Sequence, residues 1–244
     1  MTIDRREAHN RYQRQYYESA DHARLDMADT PYVRAHIERI WQALSLNGGE
    51  SVLEVGAGPG KFSLLMARRG LRLTANDLSP VLLGRLAAVS AGQISTLCTD
   101  IKQIAEATDE RFDHAMGFFV LHHLSEFPDV FSSLAKVLHP GSRIAFCEPV
   151  AWNPLYYVQT LLTPTMSFAG EPALTQMRPS VILPAMTKAG FIEVKAESYG
   201  YFPPFLKNHP LGERVEKWLD KVPWIPFPNA FQIFSARLRP EIGE

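Results

Sequence analysis

The stretch that decides the fold is Val52-Leu53-Glu54-Val55-Gly56-Ala57-Gly58-Pro59-Gly60. It begins with an apolar run that contains one acid and ends with glycine at alternate positions. Such a run predicts a buried parallel strand that leads into a tight turn. The apolar residues that follow at helical spacing predict a helix over 60–69. Glycine at 56, 58 and 60 allows positive φ angles and lets a ligand approach the backbone, next to the amides that begin the helix.

Strands and helices alternate from this stretch as far as residue 148. Such alternation predicts an α/β fold, in which helices cover both faces of a parallel sheet. Right-handed connections then place the carboxyl ends of the strands at one edge, where ligands bind. The predicted strands are 51–55, 71–76, 94–98, 112–118 and 142–148, with later strands beginning at 191 and 231. The predicted helices are 60–69, 79–90, 102–106, 126–138 and 179–189.

Two aspartates stand at ends of predicted strands. Asp77 comes about 20 residues beyond the glycines, where a carboxylate can accept hydrogen bonds from both hydroxyls of a ribose. The alternative for Asp77 is a plain acid beside the helix that Ser79 and Pro80 begin. Asp100 follows the third strand, and it could bind a ligand or cap the short helix after it.

The ordered motifs resemble those of the class I S-adenosylmethionine-dependent methyltransferases over residues 50 to 150. A dinucleotide-binding G-x-G-x-x-G loop would have its third glycine at position 61, where this chain has Lys61. The pattern E-x-G-x-G-x-G from Glu54 to Gly60 is instead similar to the first methyltransferase motif. The resemblance implies a Rossmann-like, seven-stranded, mostly parallel sheet with an antiparallel last strand.

The resemblance also implies S-adenosyl-L-methionine as the cofactor. In that family the glycine loop and its acid hold the methionine part, an acid like Asp77 binds the ribose, and an acid like Asp100 accepts from the adenine. The N-terminal segment often covers the cofactor and contributes a tyrosine, so Tyr16 or Tyr17 is a candidate, unless both simply pack on a helix. The cofactor-binding candidates are Glu54, Gly56, Ala57, Gly58, Gly60, Asp77, Leu78, Asp100, Ile101, Phe118, Tyr16 and Tyr17.

We expect a single methyltransferase domain over 1–244, with an N-terminal helical lid at 1–46 and a cofactor-binding core at 47–148. Compact domains rarely contain long connections without a function. The segments 149–178 and 202–228 are therefore predicted to be caps over the substrate. Their large apolar residues could line an apolar pocket or form the ordinary core of the caps; they are Tyr156, Tyr157, Met166, Phe168, Phe202, Phe205 and Trp224.

Methyl transfer is an in-line displacement, so the protein mainly aligns the acceptor and, for a hydroxyl, removes a proton. The candidate bases are His122 and His123, after the fourth strand, and Glu148, which ends the fifth. Alternatively, one histidine caps the next helix while the other packs, and Glu148 anchors a loop. We expect a small lipophilic or aromatic acceptor, with oxygen the most frequent acceptor atom in such enzymes. The alternatives are a non-catalytic cofactor-binding subunit and an NAD(P)-dependent oxidoreductase.

Composition limits the partners. With 25 basic and 26 acidic residues the formal net charge is −1, which gives no electrostatic case for nucleic acid. Cys98 and Cys147 fall within strands and are predicted to be buried thiols, and no metal-binding spacing is visible. A polar N-terminal segment and the lack of a long apolar run predict a cytoplasmic protein without a membrane span. Contact of the Trp218–Trp224 region with a membrane surface is a weaker alternative, and a monomer or a homodimer is expected.

Overall fold

A computed structural model describes residues 3–19, 28–153, 173–219, 222 and 229–241. Within these ranges one seven-stranded sheet has the order β3-β2-β1-β4-β5-β7-β6. The strands are β1 (Ser51–Val55), β2 (Arg72–Asp77), β3 (Ser95–Cys98), β4 (Phe112–Phe118), β5 (Leu138–Pro149), β6 (Phe191–Tyr199) and β7 (Phe231–Leu238).

The helices in the described ranges lie between and around these strands. They are α1 (Ile3–Ser19), α2 (Pro31–Leu44), α3 (Ser63–Ala67), α4 (Pro80–Ser90), α5 (Ile104–Ala107), α6 (Phe127–Lys136), α7 (Pro179–Lys188), α8 (Pro204–Lys207) and α9 (Pro210–Leu219). The predicted start of α4 is confirmed, since the Ser79 hydroxyl accepts a hydrogen bond from the Leu82 N–H and Pro80 is the first helical residue. Such caps satisfy amides that have no partner within the helix.

The first five strands run parallel to one another, whereas β7 pairs antiparallel with both β5 and β6. The predicted mostly parallel sheet with an antiparallel last strand is therefore confirmed. From β1 the chain proceeds through β2 to β3 at one edge of the sheet, and it then returns to the other side of β1 to form β4 and β5. The strand order therefore reverses between β1 and β4. Ligand sites of open α/β sheets lie at such reversals, beyond the carboxyl ends of the strands.

Alternate residues of the central strands enter two hydrophobic layers, as the period of two in a strand requires. On β1, Leu53 and Val55 belong to the layer with α5, α6 and α7, while Val52 belongs to the layer with α2, α3 and α4. On β5, Phe146 and Cys147 divide between the two layers in the same way. Both faces of the sheet are thus covered by helices.

Several predicted boundaries are wrong. Residues 61–62 and 68–70 form turns, so the predicted helix 60–69 is confined to α3. Strand β5 begins at Leu138 rather than 142. Cys98 is exposed on β3, which is the edge strand of the sheet, while Cys147 is buried as predicted.

The predicted caps are described only in part. Most of the 149–178 segment lies outside the described residues, as do Trp224 and the end of the 202–228 segment. The described part of 202–228 contains α8 and α9. In the part of the chain that the structure describes, no helix is both long enough and apolar enough to cross a membrane.

Candidate active site

A cavity of about 300 Å³ opens at the carboxyl ends of β1, β2 and β4. Its walls come from the loops after β1 to β4 and from α1 and α2, together with Pro204 and Phe231. Eight of the cofactor-binding candidates and both histidines line it, namely Gly56, Ala57, Gly58, Asp77, Leu78, Asp100, Ile101, Phe118, His122 and His123. The alternation of the sequence thus brings residues from four loops to one place.

The glycines of the loop after β1 differ in what they contact. All three have positive φ angles, of 67° at Gly56, 55° at Gly58 and 96° at Gly60. A Cβ at Gly56 would lie 2.3 Å from Val120 Cγ2, and one at Gly60 would lie 2.4 Å from Leu86 Cδ1. A Cβ at Gly58 would meet no heavy atom within 4 Å. Gly56 and Gly60 therefore permit packing within the protein, while Gly58 borders open space in the cavity.

Asp77 connects the glycine loop to the start of α4. Its Oδ2 accepts the Gly58 N–H at 2.9 Å, and its Oδ1 accepts the Ser79 N–H at 2.9 Å. Burial raises the pKa of Asp77 above its ordinary value, although these backbone hydrogen bonds oppose the shift. Each carboxylate oxygen can accept a second hydrogen bond. Asp77 can therefore hold the loop and bind a ligand in the cavity.

Asp100 connects the third loop to α1. Its Oδ1 accepts the Lys102 N–H at 3.0 Å and so caps the 3₁₀ turn Ile101–Gln103. Its Oδ2 accepts the Asn10 side-chain amide at 2.8 Å. The capping alternative therefore describes part of what Asp100 does, but the residue also lines the cavity.

Helix α1 contributes Asn10, Gln13 and Arg14 to the lining of the cavity. A second contact holds it to the start of α4, where the Ser79 hydroxyl donates to Glu18 Oε1 at 2.5 Å. Tyr16 and Tyr17 belong to α1, but their side chains lie outside the described part of the structure. The N-terminal lid over 1–46 stays a prediction.

Glu54 lies in β1 and is not among the residues that line the cavity. The side chain is 2% exposed, and among the described residues its Oε2 has no hydrogen-bond partner. Burial, together with the charge of Asp77, raises the pKa of Glu54 to about 8. Its carboxyl group is therefore mainly protonated at neutral pH and can donate a hydrogen bond.

Glu148 is fully buried and also does not line the cavity. Its Oε1 accepts the N–H groups of Val120 and Leu121 at 2.9 and 2.7 Å. Its Oε2 lies 2.6 Å from Nδ1 of His122. This geometry favours the loop-anchor alternative for Glu148 and places a carboxylate behind a histidine that faces the cavity.

The two histidines are neighbours on the 3₁₀ turn Leu121–His123, and their ring centroids are 4.0 Å apart. Neither caps the following helix, because the N-cap of α6 is Glu126 and its side chain makes no capping hydrogen bond. His122 is the member of the pair whose ring is oriented by a buried carboxylate.

Five aromatic side chains, which we call the aromatic wall, line the rest of the cavity. Phe62 stacks on Phe118 with centroids 4.1 Å apart, and Phe119 meets Phe231 edge-on at 5.8 Å. His36 lies behind the wall, and burial lowers its pKa to about 3, so its ring is neutral. The wall consists of Tyr32, Phe62, Phe118, Phe119 and Phe231.

Sequence reasoning identified Phe118 but not the other members of the wall, nor Asn10. The adjacent pair Phe118-Phe119 at a predicted strand end was the available signal for the wall. Two candidates from the caps lie elsewhere, since Phe205 is 75% exposed and Phe202 does not line the cavity. Among the described residues, no three His, Cys, Asp or Glu side chains are grouped as metal ligands.

The family comparison decides the identity of the fold. A profile described as a methyltransferase domain matches residues 53–146, which contain β2 to β4, most of β1 and β5, and the loops after β1 to β4 that line the cavity. This region is a class I S-adenosylmethionine-dependent methyltransferase domain. Its recognition from the order of the motifs is thus confirmed, as is the expectation of an S-adenosylmethionine-dependent enzyme.

Proteins similar to this chain include an O-methyltransferase and an N-methyltransferase. A ubiquinone biosynthesis O-methyltransferase of Hahella chejuensis is 28% identical over 69% of this chain and 73% of its own length. N-methyltransferase NodS from Bradyrhizobium japonicum, in complex with S-adenosylhomocysteine, has a TM-score of 0.60 at 19% identity and covers 94% of this chain and 98% of its own.

A longer protein shares the same fold. Phosphoethanolamine N-methyltransferase 2 of Haemonchus contortus, in complex with S-adenosylmethionine, has a TM-score of 0.58 at 20% identity over 85% of this chain. The match covers 53% of that protein, so this chain spans about half its length. At such identities the two solved structures establish the fold and leave the acceptor open.

The residues of the methyltransferase domain fit the cofactor of its family. Gly58 leaves space that a Cβ would occupy, beside the buried carboxylate of Asp77. Asp100 and Ile101 line the same cavity, and the protonated Glu54 lies in the strand before the loop. The cofactor is an amino acid joined to a nucleoside. Its binding requires backbone amides, two hydrogen-bond acceptors and an apolar side chain.

Proposed function

We propose that this protein transfers the methyl group of S-adenosylmethionine to a hydroxyl group of a small aromatic or lipophilic molecule. When bound, the cofactor supplies a methyl group on a positively charged sulfur. The observation that carries the proposal is the Glu148–His122 pair, whose histidine lines the same cavity as the glycine loop and the aromatic wall.

We assign the cofactor to the part of the cavity formed by the loops after β1, β2 and β3. In this assignment the Gly56–Gly58 backbone borders the methionine part, Asp77 accepts from the ribose hydroxyls, and Asp100 accepts from the adenine amino group. Leu78 and Ile101 would contact the adenine. Helix α1 would serve as the lid, since Asn10 already contacts Asp100.

The arrangement of His122 favours a hydroxyl acceptor. A carboxylate can only accept hydrogen bonds, so the proton between the two side chains lies on His122 Nδ1. The other ring nitrogen, Nε2, then carries the lone pair that can take a proton. A hydroxyl loses a proton during methyl transfer, and a positioned histidine accelerates such steps by about 10²–10⁴-fold. The Glu148 carboxylate would stabilise the imidazolium that forms.

The chemistry of the cavity supports an acceptor with an apolar body. The aromatic wall forms one side of the cavity, and the cavity also contains Val120 and Leu124. Apolar pockets with a few polar groups at fixed positions are typical of small-molecule sites. The named relative acts in ubiquinone biosynthesis, which is consistent with a lipophilic aromatic acceptor but does not identify one.

The experiment that tests the proposal measures binding and turnover separately. Isothermal titration calorimetry with S-adenosylhomocysteine measures binding of the cofactor product. Transfer of a labelled methyl group to a panel of phenols measures turnover in the wild type, His122→Asn and His123→Asn. We expect His122→Asn to lose at least 100-fold in kcat and to bind S-adenosylhomocysteine within twofold of the wild type.

His123→Asn is the matched control, because it removes the neighbouring ring without affecting the contact with Glu148. Its kcat should fall less than tenfold. Equal turnover of the wild type and His122→Asn would disprove the assignment of the base. Tight binding of S-adenosylhomocysteine without transfer to any hydroxyl, amine or carbon acceptor would support the alternative of a non-catalytic cofactor-binding subunit.

A further inference from the structure

Phe119 has a backbone conformation that bulky residues rarely adopt. Its φ angle is +56°, in the left-handed region that favours glycine. Four other non-glycine residues in the described ranges have positive φ, and each has a local explanation. Ser45 and Ala91 end helices, Glu126 begins one, and Glu193 lies at an irregularity in the pairing of β6 with β7. Phe119 is the aromatic residue of this set and lines the cavity.

The surrounding structure holds Phe119 in this conformation on both sides. Its own N–H donates to the Cys147 carbonyl at 2.8 Å. The next two N–H groups are held by Glu148, and the Val120 side chain fills the space that a Cβ on Gly56 would need. A strained conformation persists only where its surroundings determine it, and such residues cluster at functional sites.

The left-handed turn changes the direction of the ring. Successive side chains of a strand point to opposite faces, so the residue after Phe118 would ordinarily point away from it. Instead both Phe118 and Phe119 line the cavity, and both contact Phe62, with centroids at 4.1 and 6.1 Å. The strain at residue 119 therefore adds a second ring to the same side of the cavity.

The position of this ring links the aromatic wall to the proposed base. Phe119 meets Phe231 edge-on at 5.8 Å and lies three residues before His122. Aromatic rings prefer offset-stacked or edge-to-face partners at centroid distances of about 4.5–7 Å. A flat acceptor ring can make such contacts with the wall, whereas a puckered saturated ring cannot stack.

We propose that Phe119 is a specificity-determining residue that makes the cavity select planar aromatic acceptors over saturated molecules of the same size. This inference rests on the proposed function, because it assumes that the acceptor lies beside the aromatic wall. It goes further by identifying the shape of the acceptor and the residue that selects it.

The test compares two probes that differ in planarity, catechol and cyclohexane-1,2-diol. Their dissociation constants are measured by isothermal titration calorimetry, with and without saturating S-adenosylhomocysteine. We expect the wild type to bind catechol at least fivefold more tightly than the saturated diol. In Phe119→Leu the two constants should agree within twofold, while binding of S-adenosylhomocysteine stays within threefold of the wild type.

Phe119→Asn is the second variant, because asparagine tolerates positive φ and so tests loss of the ring without added strain. Phe131→Leu is the matched control, since it removes a buried ring that does not line the cavity. Planar selectivity that persists in both Phe119 variants, or that is absent from the wild type, would overturn the inference. Failure to bind S-adenosylhomocysteine would instead count against the proposed function, since the probes are also measured alone.

Discussion

Glu148 shows how a buried carboxylate can determine the chemistry of a histidine without reaching the cavity. One oxygen fixes the backbone of Val120 and Leu121, and the other fixes the ring of His122. Since a carboxylate has no proton to donate when ionised, it also fixes the tautomer of the histidine. The same side chain thus determines both the position and the proton of the proposed base.

Glu148→Gln tests this assignment, because it changes which nitrogen of His122 carries the proton. The glutamine oxygen can still accept the two backbone N–H groups, so its amide NH₂ faces His122 Nδ1. The ring must then accept at Nδ1 and carry its proton on Nε2, which removes the lone pair needed for catalysis. We expect kcat to fall about 10²–10⁴-fold, with S-adenosylhomocysteine affinity and thermal midpoint nearly unchanged.

Nitrogen-15 NMR of the imidazole distinguishes this effect from general damage. The spectrum of Glu148→Gln should show the proton of His122 on Nε2 rather than Nδ1. Glu197→Gln provides the control, because Glu197 is an exposed carboxylate on β6 that forms an ion pair with Lys195 at the surface. A variant Glu148→Gln that keeps its wild-type kcat would show that the tautomer of His122 does not matter for the reaction.

The sequence predicted the residues of the site whose chemistry follows from their place in a motif. Asp77, Asp100 and His122 each stand at a predicted strand end, and the structure brings them to one cavity. Phe119 could not be predicted, because its orientation depends on a positive φ angle that long-range contacts impose. Asn10 was missed for a similar reason, since its contact with Asp100 joins residues 90 positions apart.

At the scale of secondary structure elements, Ser79 connects two helices that lie far apart in the sequence. Its hydroxyl accepts the Leu82 N–H as the cap of α4 and donates to Glu18 of α1. The capping role could be predicted from Ser79-Pro80, but the contact with α1 could not. Helix α1 is therefore held in part by a residue whose local pattern indicates only a helix start.

The serine cap of α4 and the threonine cap of α2 can be compared to isolate the contact between Ser79 and Glu18. Ser79→Ala removes a cap and the contact with Glu18, whereas Thr30→Ala removes only the cap of α2, where the Thr30 hydroxyl accepts the Val33 N–H. We expect each substitution to lower the free energy of unfolding by about 1 kcal/mol. Ser79→Ala alone should also increase amide hydrogen exchange in α1.

Hydrogen exchange measured by mass spectrometry, together with urea denaturation, checks both expectations. Ser79→Thr keeps the hydroxyl and should resemble the wild type in α1. If α1 exchanges at the same rate in Ser79→Ala and Thr30→Ala, its attachment depends on other contacts, such as that of Asn10 with Asp100.

At the scale of the whole molecule, hydrophobic alternation predicted which segments form the sheet and which edge carries the site. The antiparallel direction of the last strand followed from the resemblance and not from the pattern of its residues, and its position between β5 and β6 was not predicted. The pattern of β7 could not show this, because both of its faces are buried and alternation gives no direction. The start of β5 was also missed, since His139-Pro140-Gly141 resembles a turn but continues the strand.

Folding places a carboxyl group in the middle of this sheet. Glu54 lies on β1, between β2 and β4, and its neighbours on the strand are fully buried. Its pKa of about 8 compares with an ordinary value of 4.5. The folded protein thus favours the protonated form, while the unfolded chain releases the proton at much lower pH. The free energy of unfolding must therefore decrease as the pH rises between these two values.

Glu54→Gln should remove this dependence, because glutamine has a similar shape and does not ionise. Between pH 5 and pH 8 the wild type should lose stability relative to Glu54→Gln by at most about 1.4 kcal/mol per pH unit, and the difference should become constant above pH 8. Urea denaturation at pH 5, 6, 7 and 8 without ligand measures it, with the exposed Glu110→Gln as the control. Parallel pH profiles for the wild type and Glu54→Gln would mean that the carboxyl of Glu54 is ionised in the folded protein. In that case its role beside the glycine loop would be that of an acceptor and not a donor.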